Sequence, residues 1–310
     1  MDSDPTRWSL EAPHCVLLII LNNKDKGLNI NSQPFVCFDI ETTGLNPLVD
    51  SVIEIGAVKF SVDQGEINRF ESFIAFNGEI PEKVIKIHGI TSDMLEGAPE
   101  LSDVLIDFIR FIGDCPLVAH NASFDCSFIG YQLGKLGFTY PSNSVYDSLI
   151  ISRKVFSHLQ SHSLSSLKKT FEINSNQSHR ALDDALATSE IFNLLTERWS
   201  KKRNRPLDNL KKEFPPIHFS DFSLETFNSH VEQVDQINEA MGLKRKVLIT
   251  YLDKQNKKSE REILPTGIVL NNGYLYLDGY CYLRKEDRRF RLDRIQNIRI
   301  QPEELVKKYY

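Results

Sequence analysis

The 310-residue sequence is poor in cysteine and has no long apolar run. Its five cysteines, Cys15, Cys37, Cys115, Cys126 and Cys281, are scattered without a C-x-x-C pair. An odd, dispersed set argues against a disulfide framework and a zinc cluster, and suits a reducing cytosol. The longest purely apolar run, residues 15–21, is far shorter than the roughly 20 residues a membrane-spanning helix needs. The residues before it include Asp2, Asp4 and Glu11, where an export signal would be basic. A cytoplasmic protein with no membrane partner is expected. No internal repeat is visible. At 41% apolar and 25% charged residues, the chain has enough apolar material for two cores and too much for general disorder.

Charge is divided unevenly. Residues 1–200 carry 15 basic and 26 acidic side chains, and residues 201–310 carry 22 basic and 16 acidic, so net −11 is followed by net +6. Two regions with different electrostatic roles are implied. The β-rich runs 35–40, 52–60 and 70–76, joined by turn-like Gly44-Leu45-Asn46-Pro47 and Asp63-Gln64-Gly65, predict an antiparallel meander. Helices then alternate with strands. Leu101, Val104, Leu105, Phe108 and Ile112 form one helical stripe, 116–119 is a short strand, and 124–136 is helical again. Another strand at 145–146 precedes helices near 148–155, 163–171 and 181–199. This order predicts one mixed sheet with helices on its faces. Basic, Pro-containing residues 201–222 read as a linker, and 224–241 as one helix. Short runs at 247–252, 263–270, 274–282, 290–295 and 298–300 predict a small all-β barrel or curled sheet.

Three acidic segments stand out. Asp39 and Glu41 lie two apart in Phe38-Asp39-Ile40-Glu41-Thr42-Thr43-Gly44, so on a strand they share one face while Phe38 and Ile40 pack behind it. Alone, that pair fits either a cation site or a solvated strand end with two unrelated carboxylates. His120-Asn121-Ala122-Ser123-Phe124-Asp125 lies where a buried strand gives way to a helix. His179-Arg180-Ala181-Leu182-Asp183-Asp184 opens the last long helix, where His179 and Asp184 can face one pocket.

Residues 38–45, 120–125 and 179–184 resemble the three motifs of the DEDDh group of DnaQ-like 3′–5′ exonucleases. Ile87-His88-Gly89-Ile90-Thr91 and Tyr146-Asp147-Ser148-Leu149 resemble family segments between them. The resemblance spans about residues 33–200 and implies an RNase H-like fold. It assigns Asp39, Glu41, Asp125 and Asp184 to the binding of two divalent metal ions and His179 to the general base, and it selects Asp184 over Asp183. All-oxygen ligation suits Mg²⁺ or Mn²⁺. An imidazole, as at His179, can take a proton from an attacking water. The match also makes Thr42, Thr43, Leu45, His120, Asn121 and Phe124 candidates for contacting the terminal nucleotide. Each has a plain alternative: turn chemistry for the loop, a helix cap for Asn121, core packing for Leu45 and Phe124. His88 reads as a capping or packing group.

Seven basic residues crowd into residues 281–299, interleaved with Tyr282 and Phe290. In Arg289-Phe290-Arg291-Leu292-Asp293-Arg294-Ile295 a strand would put Arg289, Arg291 and Asp293 on one face. Such a face fits a phosphate surface with aromatics for base stacking, or a solvated face neutralised by its acidic neighbours. Tyr276-Leu277 after Gly273, Pro265 upstream and the 289–295 segment downstream resemble a WYL domain, an Sm/SH3-like β module. Leu275 stands where the motif has Trp. The resemblance implies contacts of Tyr276, Arg289, Arg291 and Arg294 with nucleic acid or a nucleotide-like effector.

The expected organisation is an N-terminal extension (1–32), an exonuclease domain (33–200), a basic, Pro-containing linker and helix (201–235) and a WYL-like domain (236–310). The expected activity is metal-dependent removal of nucleotides from the 3′ ends of single-stranded DNA or RNA. The alternatives are a non-catalytic nucleic-acid-binding regulator and an oligoribonuclease-type enzyme acting on very short substrates. Cutting after about Ser200 is expected to leave the catalytic domain whole.

Overall fold

The computed structural model of the chain describes residues 30–173, 179–200, 206–228, 230–271 and 274–302. The expected arm (1–29), the Lys201–Arg205 basic run, Cys15 and Gly273 lie outside them. The meander is β1 (Phe35–Thr42), β2 (Val52–Ser61) and β3 (Gly65–Phe73), antiparallel throughout. β4 (Leu117–Ala119) and β5 (Val145–Asp147) extend β1 in parallel, giving the mixed order β3-β2-β1-β4-β5. Short α1 (Glu82–His88) follows the meander. Helices α2 (Leu101–Ile112) and α3 (Ser123–Lys135) cover one face, while α4 (Ser148–Val155), α5 (Leu164–Thr170) and α6 (Ala181–Ser200) belong to the other.

The period of two in β1 divides its side chains between two cores. Val36, Phe38 and Ile40 join Phe108 and Phe128 on the α2/α3 side, and Phe35 and Cys37 join Ile191 and Phe192 of α6 on the other. Asp39 and Glu41 continue the second row, so they leave the sheet on the α6 side. This alternation is why two carboxylates can sit in the middle of an otherwise apolar strand.

Residues 206–222, expected to be a linker, are packed structure. Helix α7 (Leu207–Glu213) buries Leu210, and Phe214 meets Trp199 at 6.4 Å. Ile217 forms an antiparallel bridge to Val145 at the sheet edge. The 3-10 turn Phe219–Phe222 then lies across α3, where Gly130 leaves room for the Phe219 carbonyl and the Phe222 side chain. Phe219 reaches Phe38 at 5.9 Å. The segment lacks helical periodicity because each aromatic is spent on a different neighbour.

The single helix expected at 224–241 is two, α8 (Leu224–Asn228) and α9 (Val231–Gly242). Phe227 turns to Tyr131 of α3, whereas Val234, Ile237 and Ala240 face the C-terminal sheet, so the two halves serve different surfaces. α8 ends at Asn228 and α9 starts after His230, both weak helix formers. The C-terminal sheet is antiparallel in the order β10-β6-β7-β8-β9: β6 (Val247–Leu252), β7 (Lys258–Asn271), β8 (Tyr274–Cys281), β9 (Glu286–Arg291) and β10 (Ile295–Ile300). β7 begins five residues earlier than expected, because its charged first half pairs with β6 without burying an apolar row. Pro265 is accommodated in β7 beside a register shift between Pro265 and Gly267, as strand prolines require. Leu275, in the motif's Trp position, is buried with Leu277 in this sheet's core. One contiguous apolar cluster runs from Phe108 through Phe222 and Val234 to Leu277.

Candidate active site

The site forms where β1 meets the start of α6. Gly56 of β2 decides that approach: a Cβ there would collide with the backbone of Ala181 and Leu182. Only glycine lets the helix come this close, and the close approach carries Asp184 to the strand face bearing Asp39 and Glu41. A buried ion pair fixes the angle. Glu54, opposite Glu41 in the β1–β2 register, is fully buried and accepts hydrogen bonds from Arg180 (Nη2 2.6 Å, Nε 3.1 Å) and from the Ala181 N–H (3.0 Å). The Arg180 guanidinium also lies over the Phe73 ring.

Carboxylate oxygens of Asp39, Glu41 and Asp184 lie within 4.8 Å of one another. Asp125, buried at the start of α3, stands beside this triplet, and its Oδ1 accepts the Ile40 N–H at 3.2 Å. The carboxylates suffer for their proximity. Burial raises Asp39 well above its ordinary value, and the charges of Asp125, Glu41, Asp184 and Glu54 add to the shift. Glu41 is pushed up to about 8 by burial and by Glu54, Asp184 and Asp125, with Arg180 opposing. Asp125 is also raised, first by burial, against the Ile40 hydrogen bond. Crowded hard oxygens that repel one another are the donor set of a Mg²⁺- or Mn²⁺-type cation, so the residues fit the expected metals. Lys168 of α5 supplies one compensating charge, its ammonium 3.0 Å from Asp184 Oδ1. His179 has left-handed backbone (φ 62°), donates its N–H to Asp184 Oδ2 at 3.2 Å and leaves its side chain exposed.

A cavity of about 620 Å³ opens from Glu41. Thr42, Thr43, Leu45 and Phe124 line it. Thr42 donates to the Gly44 carbonyl and Thr43 accepts the Ser51 N–H, so both hydroxyls also brace the loop, while Leu45 is 57% exposed. His120 and Asn121 sit elsewhere. The His120 ring reaches Ser148 Oγ and the His162 carbonyl, both at 2.9 Å, and burial lowers its pKa to about 4. Asn121 takes left-handed backbone (φ 67°) and donates its N–H to Asp147. Both shape the strand-to-helix turn that delivers Asp125.

Sequence reasoning missed several members. Glu54 had a signal, a lone acid in an apolar strand, and Arg180 sat inside a quoted motif. Lys168 had none, since its helix reads as solvated. His88 is structural: its Nδ1 accepts the Ile90 N–H at 2.9 Å. That bond leaves Nε2 as the protonated donor. Its acceptor is the Thr42 backbone, whereas the buried Asn46 amide nitrogen has no partner among the described residues; both residues border the cavity.

The C-terminal arginines are less available than expected. β9 ends at Arg291, and Asp293 lies in a 3-10 turn instead of on the strand face, where its carboxylate grips Arg291 at 2.9 and 2.5 Å. Arg291 also stacks on Tyr274. Arg289 is held bidentately by Asp278 at 2.7 and 2.9 Å and lies near Tyr276. Arg294 is half-buried in that turn. No helix among the described residues is long and apolar enough to cross a membrane.

Residues 36–192 match the family model described as Exonuclease, and residues 232–300 match that of the WYL domain. The PolC-type DNA polymerase III of Oceanobacillus iheyensis is 40% identical over 185 residues, covering 59% of this chain and 13% of the polymerase. That of Halalkalibacterium halodurans is 44% identical over 159 residues, covering 51% and 11%. The match thus spans a small part of these relatives' length. Among solved structures, Exonuclease X in complex with 5′ overhanging duplex DNA aligns with TM-score 0.44 and 24% identity over 53% of this chain and 91% of that one. The nuclease domain of 3′hExo, a DEDDh family member bound to rAMP, aligns with TM-score 0.47 and 18% identity over 53% and 92%.

Proposed function

The chain belongs to the exonuclease family, and we propose that it hydrolyses phosphodiester bonds from the 3′ end of single-stranded DNA or RNA, using two divalent cations, Mg²⁺ or Mn²⁺. The observation that carries this reading is the triplet of Asp39, Glu41 and Asp184 with its oxygens within 4.8 Å and Asp125 beside it. These four carboxylates hold the cations. When bound, such a pair of ions eases deprotonation of the attacking water and stabilises charge on the phosphoryl and leaving oxygens. His179 takes the water's proton. Its backbone is tied to Asp184, which fixes the imidazole's base to the ligand set while the side chain stays accessible. Glu54 and Arg180 act as positioning residues, holding the segment that carries both His179 and Asp184. Leu45 and Phe124 supply apolar contact to the terminal base.

Purified protein incubated with a labelled single strand and Mn²⁺ or Mg²⁺ should release mononucleotides from the 3′ end. Asp39→Ala and His179→Ala should abolish release while retaining the fold. No release by wild type, or equal release by either variant, overturns the assignment. A series of strand lengths distinguishes a general exonuclease from an enzyme of very short substrates.

A further inference from the structure

The cavity leading from the carboxylates has two walls. One is the exonuclease loop after β1, with Leu45 and Val49, together with α1 and Phe124. The other belongs to the C-terminal region: Asn238 and Met241 of α9, and Thr266, Gly267, Ile268 and Val269 of β7, with Asp278 of β8 at the edge. We propose that the WYL domain is a structural half of the nucleotide cleft, so that the 3′-terminal nucleotides of a single strand are clasped between the exonuclease loop and the β7 segment 266–269. This rests on the exonuclease reading given above and adds to it where the substrate is held.

Four observations support the clasp. The walls share a single apolar cluster through α3, α8 and α9, so the opposed surfaces are held at a fixed spacing. At about 620 Å³ the space is within the range of pockets that enclose one compact organic ligand. Both walls offer apolar surface, Leu45, Val49 and Phe124 against Met241, Ile268 and Val269, which suits the faces of bases of any sequence. Finally, the buried amide nitrogen of Asn46, which has no partner among the described residues, borders the same space, a donor for acceptors such as phosphate or base oxygens. Beyond the clasp, Thr266 and Asp278 also border a second opening lined by Asp287, Arg288 and Arg289, which gives the upstream strand an exit past Arg288.

Gly267 permits a clean test. It lies on the module wall, outside the elements that carry the four carboxylates, its backbone is not in the left-handed region, and a Cβ there meets nothing within 4 Å. Side chains can therefore be grown into the cleft without disturbing the fold. Binding of a 5′-fluorescein-labelled dT oligonucleotide is measured by anisotropy in Ca²⁺, and turnover in Mn²⁺, for wild type, Gly267→Ala and Gly267→Leu. Gly267→Ala should bind like wild type. Gly267→Leu should weaken binding and raise KM by about tenfold or more, with an unchanged melting temperature and an unchanged rise in melting temperature on adding Mn²⁺. Wild-type affinity and KM for Gly267→Leu overturn the clasp while leaving the exonuclease reading intact. Binding without turnover in wild type, still lost in Gly267→Leu, keeps the clasp and removes the exonuclease reading. If wild type binds no strand at all, the clasp falls.

Discussion

The two charged regions of this chain are built on opposite rules. At the sheet, Asp39, Glu41, Asp125 and Asp184 are crowded and largely buried, and among the described residues Lys168 sets one ammonium against them, at Asp184. On the C-terminal module, Arg289 and Arg291 each already hold an acidic partner, Asp278 and Asp293, in bidentate geometry at the surface. The first cluster stores repulsion that a ligand can relieve; the second has satisfied itself. Frustrated charge therefore marks the reactive site and paired charge marks scaffold, a difference that a count of charged residues does not show.

The largest expected effect concerns the join between the regions. Cutting after Ser200 removes Leu210, Phe214, Phe219, Phe222 and Phe227, all buried, from their contacts with the sheet and α3. At about 1.5–3 kcal/mol for each large apolar side chain, the loss is on the order of 10 kcal/mol, comparable with the whole stability of a domain. The truncated chain should be insoluble or lack a cooperative melt, contrary to the expectation from composition. A soluble, cooperatively melting 30–200 fragment would show the regions to be separable after all.

Next comes the support under the reactive cluster. Arg180→Met leaves Glu54 buried with only the Ala181 N–H, which should cost about 3 kcal/mol in a urea melt. It should also reduce turnover, because the segment bearing His179 and Asp184 loses its anchor. Glu41→Gln should behave in the opposite way on stability. With Glu41 pushed up to about 8 from 4.5, the native state keeps a proton that the unfolded chain has released, so metal-free stability falls as pH rises across that window. Melts in EDTA at about pH 5.5 and about pH 8 should show the lower stability at the higher pH. Glu41→Gln should flatten that difference while lowering turnover by at least about a hundredfold. Adding Mn²⁺ should raise the wild-type melting temperature more at the higher pH, where fewer protons must be displaced.

Legibility followed the length scale of each interaction. The meander, the βα units and the strand face shared by Asp39 and Glu41 depend on local periodicity, and were readable. The site's assembly depends on Gly56, whose small size matters only because α6 arrives there 125 residues later. Lys168 meets Asp184 across an interhelical gap that no spacing encodes. Residues 206–222 looked like a linker because Leu210, Phe214, Ile217, Phe219 and Phe222 each serve a different neighbour, which erases any period. The module's arginines were over-read because sequence shows charge but not the partner that cancels it.

The smallest expected effect separates committed from available cations on the module. Arg291 is held by Asp293 and Tyr274, whereas Arg288 beside the second opening meets, among the described residues, Glu286 through one contact at 3.4 Å. Exposed ion pairs contribute about 0–1 kcal/mol, so Arg291→Ala should shift stability by no more than that and leave strand affinity unchanged. Arg288→Ala should also leave stability unchanged, but it should reduce the salt slope of binding to a long single strand by about one, with no effect on strands too short to reach the exit. The contrast is informative because the two residues lie three apart on one strand and carry the same charge. Equal salt slopes for both variants would mean that pairing does not decide availability, and that the strand leaves the cleft by another route.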